Sequence, residues 1–137
     1  WENRIDIPAL HAGEKVVLTK IDRHYAKFTW KGSEYTFVYH HAKTPNPTML
    51  SKFLTKDDPA PIIAGFSEDI RSAISKGEIK AGMTKWQVLY STGVPAVAGR
   101  RKTYDMRLED VLAVDSWIYK GKLYVEFAND MVTNIKD

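Results

Sequence analysis

The sequence contains no cysteine, which excludes disulfide bonds, thiolate metal ligands and a thiol nucleophile. It has no apolar run that approaches the length needed to span a bilayer, so no transmembrane segment is predicted. None of its 8 glycines belongs to a Gly-x-Gly-x-x-Gly or P-loop pattern. Thiol chemistry and nucleotide binding therefore have no support.

A strong excess of one charge is also missing. The 137 residues include 20 Lys or Arg and 17 Asp or Glu, which gives a net charge of +3 with both signs mixed along the chain. Such a balance does not predict a nucleic acid partner. The hydrophobic fraction of 44% is normal for a chain that buries a core, and the length predicts one domain or two small ones.

The histidines do not form a metal-ligand pattern. Adjacent residues on a strand point to opposite faces, so His40 and His41 cannot both bind one ion without distortion. The other two, His11 and His24, complete no His-x-His or His-x-x-x-His spacing. We therefore predict no metal and no cofactor.

The remaining candidates for catalysis also have simpler interpretations. Asp57 and Asp58 lie beside prolines in a polar linker where nothing would desolvate them, and we read Glu109-Asp110 in the same way. Ser67 and Thr84 each stand where a helix would begin, so capping explains them better than nucleophilic catalysis. No catalytic residue is predicted, and a hydrolase based on Asp and Glu is the least favoured function class.

The best-specified element is a short helix that begins after Thr84. Thr84 and Gln87 have the spacing of a capping box, in which each side chain binds the other residue's amide. Trp86, Leu89 and Tyr90 recur at helical spacing and predict its apolar face. Gly93 is expected to adopt the left-handed conformation that ends a helix.

The first half of the chain predicts an antiparallel β-meander or small barrel. Alternating apolar residues indicate strands over residues 15–21, 25–31 and 34–41, after a short edge strand at 4–8. Residues 48–54 suggest one or two helical turns. The polar, proline-bearing segment 56–61 is predicted to be a linker, so we place a β-rich unit at residues 1–56.

The second half, residues 62–137, predicts two helices followed by three strands. Ser67 begins the first helix and Gly77 ends it, while the second is the capped helix described above. Residues 96–113 predict a long irregular connection, with a possible helical turn at 108–112. Strands are predicted at 114–119, 122–128 and 131–136, joined by turns at Lys120-Gly121 and Asn129-Asp130. The whole chain is therefore assigned to the α+β class.

One charged cluster lies in the predicted connection. Arg100, Arg101 and Lys102 are consecutive and are followed closely by Tyr104. They could bind anionic lipid headgroups, a glycan-linked phosphate or an acidic partner, although three solvated charges in a loop need no function. These four residues are the candidate binding site.

Several motifs of the second half occur together in a known family. They are Gly82-Met83-Thr84-Lys85-Trp86-Gln87-Val88, Gly93-Val94-Pro95, Trp117-Ile118-Tyr119, the Leu-x-Val-x-Phe strand from Leu123 to Phe127, and Val132 to Ile135. In this respect residues 66–137 resemble the SmpA/OmlA family, the BamE-type domain of small envelope lipoproteins. The related β-lactamase inhibitor proteins repeat the same two-helix, three-strand unit.

The resemblance implies a non-enzymatic binding or scaffold module in the periplasm of a bacterial cell. Family members assist outer-membrane protein assembly and envelope integrity by docking to other envelope components. Envelope proteins are the implied partners, and anionic lipid is the further candidate that the basic cluster offers. The family's lipidated cysteine is not in this sequence, and the start at Trp1 without a methionine is consistent with removal of an upstream signal or anchor.

A second function class stays open beside this one. Because the related fold occurs in β-lactamase inhibitor proteins, loops of residues 62–137 could bind and inhibit an envelope enzyme such as a β-lactamase. The first half of the chain lies outside the minimal family domain, and its alternation vaguely resembles an SH3-type barrel.

Overall fold

The computed structural model describes residues 14–38 and 54–137, except for the side chain of Asp105. These residues form two antiparallel sheets, of three and five strands, and four helices. The α+β class is therefore confirmed. The strand predicted at residues 4–8 lies outside the described residues, as do His11, His40 and His41, and so do the helical turns predicted at 48–54 except for Leu54.

The three-stranded sheet is a meander, as the alternation predicts. Its strands β1 (Val17–Ile21), β2 (Tyr25–Trp30) and β3 (Ser33–Val38) pair in sequence order. The side chains that alternate inward on β2 are buried; they are Ala26, Phe28 and Trp30. Lys31 and Gly32 both have positive φ, the pattern of a two-residue type I′ turn.

The helices are α1 (Ala60–Ala64), α2 (Glu68–Lys76), α3 (Lys85–Thr92) and α4 (Leu108–Leu112). Helix α1 begins inside the segment predicted to be a linker. Proline is tolerated in the first turn of a helix because those amides have no helical partner. The Asp58 carboxylate accepts a hydrogen bond from the Ala60 amide at 3.0 Å, which compensates one of these amides.

The five-stranded sheet has the order β5-β4-β6-β7-β8. Its strands are β4 (Val97–Ala98), β5 (Arg101–Lys102), β6 (Ser116–Ile118), β7 (Tyr124–Ala128) and β8 (Met131–Lys136). The three predicted strands are present as β6, β7 and β8, but the sheet is larger than predicted, because the connection expected to be irregular contributes β4 and β5. The same connection also holds α4, at the residues expected for a helical turn.

One face of this sheet carries the main core. Trp117 and Val125 from the sheet are fully buried with Val88 of α3 and Val111 of α4, and Ala73 of α2 belongs to the same cluster. Helices α2, α3 and α4 therefore pack on the same face of the sheet. Trp117 packs edge to face on Phe127, with ring centroids 4.6 Å apart.

The predicted capping box of α3 is present. The Gln87 amide donates to the Thr84 hydroxyl at 3.2 Å, and the Thr84 amide donates to Oε1 of Gln87 at 2.9 Å. The segment before the cap is also tied to β8. The Gly82 amide donates to the Val132 carbonyl and the Val132 amide to the Met83 carbonyl, both at 2.8 Å. The start of α3 is thus fixed from two sides.

Two details of α3 differ from the prediction. Its most buried residues are Lys85 and Val88, whereas Trp86 is 46% exposed and Tyr90 is only half-buried. Of the predicted apolar face, Leu89 and Tyr90 do pack against the core, whereas Trp86 does not. Gly93 has φ 74° but ψ −163°, so it leaves the helix by an extended path rather than in the left-handed helical conformation.

Helix α2 ends as predicted but begins differently. Gly77 is left-handed at φ 68° and ψ 31°, and Glu78 donates its amide to the Ala73 carbonyl at 2.9 Å. Ser67 occupies the N-cap position with extended backbone, yet its side chain makes no capping hydrogen bond. No helix within residues 14–38 and 54–137 is long and apolar enough to cross a membrane.

The two N-caps provide an internal comparison. Thr84→Ala removes the hydroxyl that accepts from Gln87, and we expect a loss of about 1 kcal/mol in the free energy of unfolding, measured by denaturant titration. Ser67→Ala is the matched control at an N-cap without this hydrogen bond, and it should cost clearly less. Equal losses in the two variants would contradict the capping role of Thr84.

Candidate functional site

The predicted basic cluster lies on a tight β-hairpin formed by β4 and β5. Ala98 pairs with Arg101, which leaves Gly99 and Arg100 as a two-residue turn. Gly99 has φ +61° while Arg100 does not have a positive φ, the pattern of a type II′ turn with glycine first. The Gly99 amide also donates to the Ser116 carbonyl at 2.7 Å, which ties the turn to β6.

The base of the hairpin is closed by Thr103, whose side chain is buried. Its amide donates to the Ala96 carbonyl at 3.1 Å, and its hydroxyl donates to the Pro95 carbonyl. Ala96 in turn donates its amide to the Ile118 carbonyl at 2.9 Å. The hairpin is therefore hydrogen-bonded at both ends and not a loose loop.

The three cationic residues are all exposed, but they do not share one face. Arg100 is in the turn. Arg101 pairs with Ala98, whose row belongs to the core side of the sheet, whereas Lys102 pairs with Val97 on the opposite side. Within the described residues, none of the three forms a salt bridge. They are therefore concentrated on one hairpin and available to an anionic partner.

Tyr104 is separate from this cluster in structure. It belongs to a 3-10 turn, Thr103–Asp105, that follows β5, and it is half-buried. The structure therefore joins Arg100, Arg101 and Lys102 on one element and assigns Tyr104 to the next.

A surface pocket of about 320 Å³ lies where α3 ends and β4 begins. It is lined by Thr92, Val94, Ala96, Tyr119 and Lys120. The Tyr119 hydroxyl donates to the Gly93 carbonyl at 3.0 Å, and burial raises the pKa of this phenol well above its ordinary value. Tyr119 therefore stays protonated near neutral pH and helps hold the end of α3 instead of serving as a base.

Lys85 is the functional candidate that the sequence pattern missed. Its side chain is only 5% exposed, and its ammonium donates to the Leu112 carbonyl at 2.7 Å and to Oδ1 of Asp115 at 2.8 Å. It also lies 3.9 Å from Oδ1 of Asp130 and 5.5 Å from the centre of the Phe127 ring. A signal did exist, since Lys85 precedes the buried Val88 by three positions and so falls on the same face of α3.

A buried lysine beside two carboxylates can be a catalytic arrangement. Here the ammonium donates to a carbonyl and a carboxylate and also faces a second carboxylate and an aromatic ring, so it is surrounded by groups of the protein itself. Asp115 and Asp130 are 69% and 59% exposed, which leaves them well solvated. The arrangement therefore joins α3 to α4 and to the β7–β8 turn.

The other sequence candidates stay apart from one another. His24, Asp57 and Asp58 are exposed, and Glu109 pairs with Arg107 at 3.6 Å on the surface. In the described part of the chain, no three His, Cys, Asp or Glu side chains are grouped closely enough to hold a metal ion.

Compared with models of protein families, with curated proteins and with solved structures, the chain shows no match. The basic hairpin therefore has to be judged on its geometry and on the sequence motifs alone.

Lys85→Met tests the buried junction. The substitution keeps much of the side-chain volume but leaves the Leu112 carbonyl without its donor. The free energy of unfolding should therefore fall by about 1–3 kcal/mol. Lys76→Met, at an exposed lysine, is the control and should change stability by less than about 0.5 kcal/mol. A fully stable Lys85→Met variant would show that packing alone holds this junction.

Gly99→Ala tests the hairpin turn. Alanine at this position would have to adopt a positive φ, which residues with a side chain rarely do. Its Cβ would also lie 3.1 Å from Cγ1 of Val114. The expected cost is about 1–3 kcal/mol, measured as a lowered Tm or denaturation midpoint. Gly65→Ala, at an ordinary φ of −78°, is the control and should be close to neutral. Unchanged stability in Gly99→Ala would mean that the turn can rearrange freely.

Proposed function

We propose that the chain is a non-enzymatic binding or scaffold protein of the bacterial cell envelope, which docks to anionic headgroups through the β4–β5 hairpin. The observation that carries this proposal is the concentration of Arg100, Arg101 and Lys102 on a hydrogen-bonded hairpin, with no salt bridge to any described side chain. Cations that are not neutralised inside the protein are available to an external anion.

The geometry favours docking over turnover. The buried charged group, Lys85, is occupied by Leu112 and Asp115. The three cationic side chains leave the hairpin in different directions, which suits several headgroups on a surface better than one small substrate. Each Lys or Arg near an anionic membrane contributes about 1 kcal/mol of binding free energy, so three give a useful but reversible attraction.

The envelope setting rests on the resemblance of residues 66–137 to the SmpA/OmlA family. The residues that carry it also build the fold, since Thr84 and Gln87 cap α3 and Trp117 fills the core. On this basis we place the protein in the periplasm and propose a contribution to outer-membrane assembly or integrity through contacts with envelope proteins. Family motifs that act structurally support a fold better than an activity, so the docking role is argued from the hairpin itself.

The direct test is binding to vesicles. Replacing Arg100, Arg101 and Lys102 with Ser should weaken binding to anionic phosphatidylglycerol vesicles on the order of 100-fold, with no effect on neutral phosphatidylcholine vesicles. Binding of the unmodified chain should also fall as salt rises. Cosedimentation at two salt concentrations measures both effects.

A control of equal charge separates the hairpin from net charge. Replacing Lys56, Lys76 and Lys80 with Ser removes the same three charges from exposed positions elsewhere. This variant should retain most of the vesicle binding. If both variants lose the same affinity, the hairpin has no special role; nanomolar inhibition of a β-lactamase panel by the unmodified chain would instead favour the inhibitor alternative.

A further inference from the structure

The face of the five-stranded sheet opposite the core has a regular chemical order. Strand register places five residues side by side across all five strands, in the order Lys102, Val97, Ile118, Tyr124 and Lys136. We call this set the outer row. Its three middle residues are half-buried and do not belong to the core cluster, whereas the two lysines at its ends are exposed.

The charges of the outer row are open to a partner. Within the described residues neither Lys102 nor Lys136 forms a salt bridge, and the Lys136 ammonium lies 6.0 Å above the Tyr124 ring. Lys120 and Lys122 add two exposed cations in the turn that joins β6 to β7, next to the pair Ile118 and Tyr124.

Negative charge on this face lies in a different place. The next row along the strands is Ser116, Glu126 and Asn134, and Oε2 of Glu126 accepts a hydrogen bond from Nδ2 of the Asn134 side chain at 2.8 Å. The exposed Asp137 follows Lys136 at the end of β8. An anionic partner would therefore be attracted to the outer row and repelled from its neighbour, which defines an orientation.

From this pattern we propose that the outer row binds an acidic segment of a partner protein. Four strand spacings separate Lys102 from Lys136, or about 19 Å. An extended segment of about six residues spans this distance. Carboxylates near its ends would meet the two lysines, and apolar side chains between them would lie on Val97, Ile118 and Tyr124.

Two other occupants fit less well. A second copy of this chain would bring two sets of lysines together, and the carboxylate of the neighbouring Glu126 is already bonded to Asn134. A bilayer would need apolar side chains that project for insertion, whereas the middle of the outer row is half-buried. The surface is suited to side chains lying on it.

The test uses a labelled peptide, Glu-Glu-Leu-Phe-Leu-Glu-Glu, and a version with Gln in place of every Glu. The acidic peptide should bind at concentrations below about 1 mM by fluorescence anisotropy, and the Gln version at least tenfold more weakly. No binding of the acidic peptide at millimolar concentration, or equal binding of both, would overturn the proposal.

Variants assign the peptide to the outer row. Lys136→Glu and, separately, Ile118→Ser should each reduce affinity at least fivefold. Ile135→Ser, on the other face of β8, and Lys76→Glu, on α2, should leave it within twofold. Because Ile118→Ser could disturb the sheet, amide chemical shifts of the unmodified chain provide a second measurement: peptide-induced changes should concentrate on β4, β6, β7 and β8. Changes confined to the helices, or wild-type affinity in Lys136→Glu, would overturn the proposal.

This inference is independent of vesicle docking except that both surfaces include Lys102, so Lys102 stays unchanged in these variants. Arg100→Ser combined with Arg101→Ser should weaken vesicle binding and keep peptide binding. Loss of vesicle binding in Ile118→Ser and Lys136→Glu, without any peptide binding, would identify the outer row as a lipid surface and reject the protein partner.

Discussion

The buried ammonium of Lys85 is the interaction on which the second half of the fold depends. It hydrogen-bonds the last residue of α4 and the Asp115 side chain, and it faces Asp130 in the β7–β8 turn. Nearby, the Trp117 indole donates to the Val111 carbonyl at 3.0 Å, so two successive carbonyls at the end of α4 are satisfied by side chains. Helix α4 has only five residues, and such a short helix depends on partners of this kind.

This junction also helps to position the proposed binding surfaces, because it ties α3 and α4 to the β7–β8 turn. Helices α3 and α4 pack on one face of the sheet, and the outer row lies on the opposite face. The hairpin is positioned by Thr103 and by the bond from Gly99 to β6, so its cations have a defined location relative to the sheet. Rigid presentation lowers the entropic cost of binding, which helps a small surface with few charges.

Local chemistry could be predicted from the sequence, and pairing between distant strands could not. The capping box of Thr84 and Gln87 and the turn at Asn129-Asp130 depend on neighbouring residues, and both are present. Strands of two residues carry no periodic signal, which is why β4 and β5 were expected to be an irregular connection. Lys85 was missed because a charged residue is usually assigned to the solvent face, and its partners are distant in sequence, the nearest being Leu112.

The same distinction between local sequence and strand pairing applies to the candidate site. The three consecutive charges are visible in the sequence, but the separation of Arg101 from Lys102 follows from strand register. The outer row joins residues from 97 to 136 and needs the complete sheet order. The central claim is that the hairpin and the outer row are two binding surfaces that have only Lys102 in common. The most direct measurement is cosedimentation of the labelled acidic peptide with phosphatidylglycerol vesicles in the presence of the chain. The account predicts that the chain carries the peptide to the vesicles; displacement of the peptide by the vesicles would contradict it and indicate one shared cationic site.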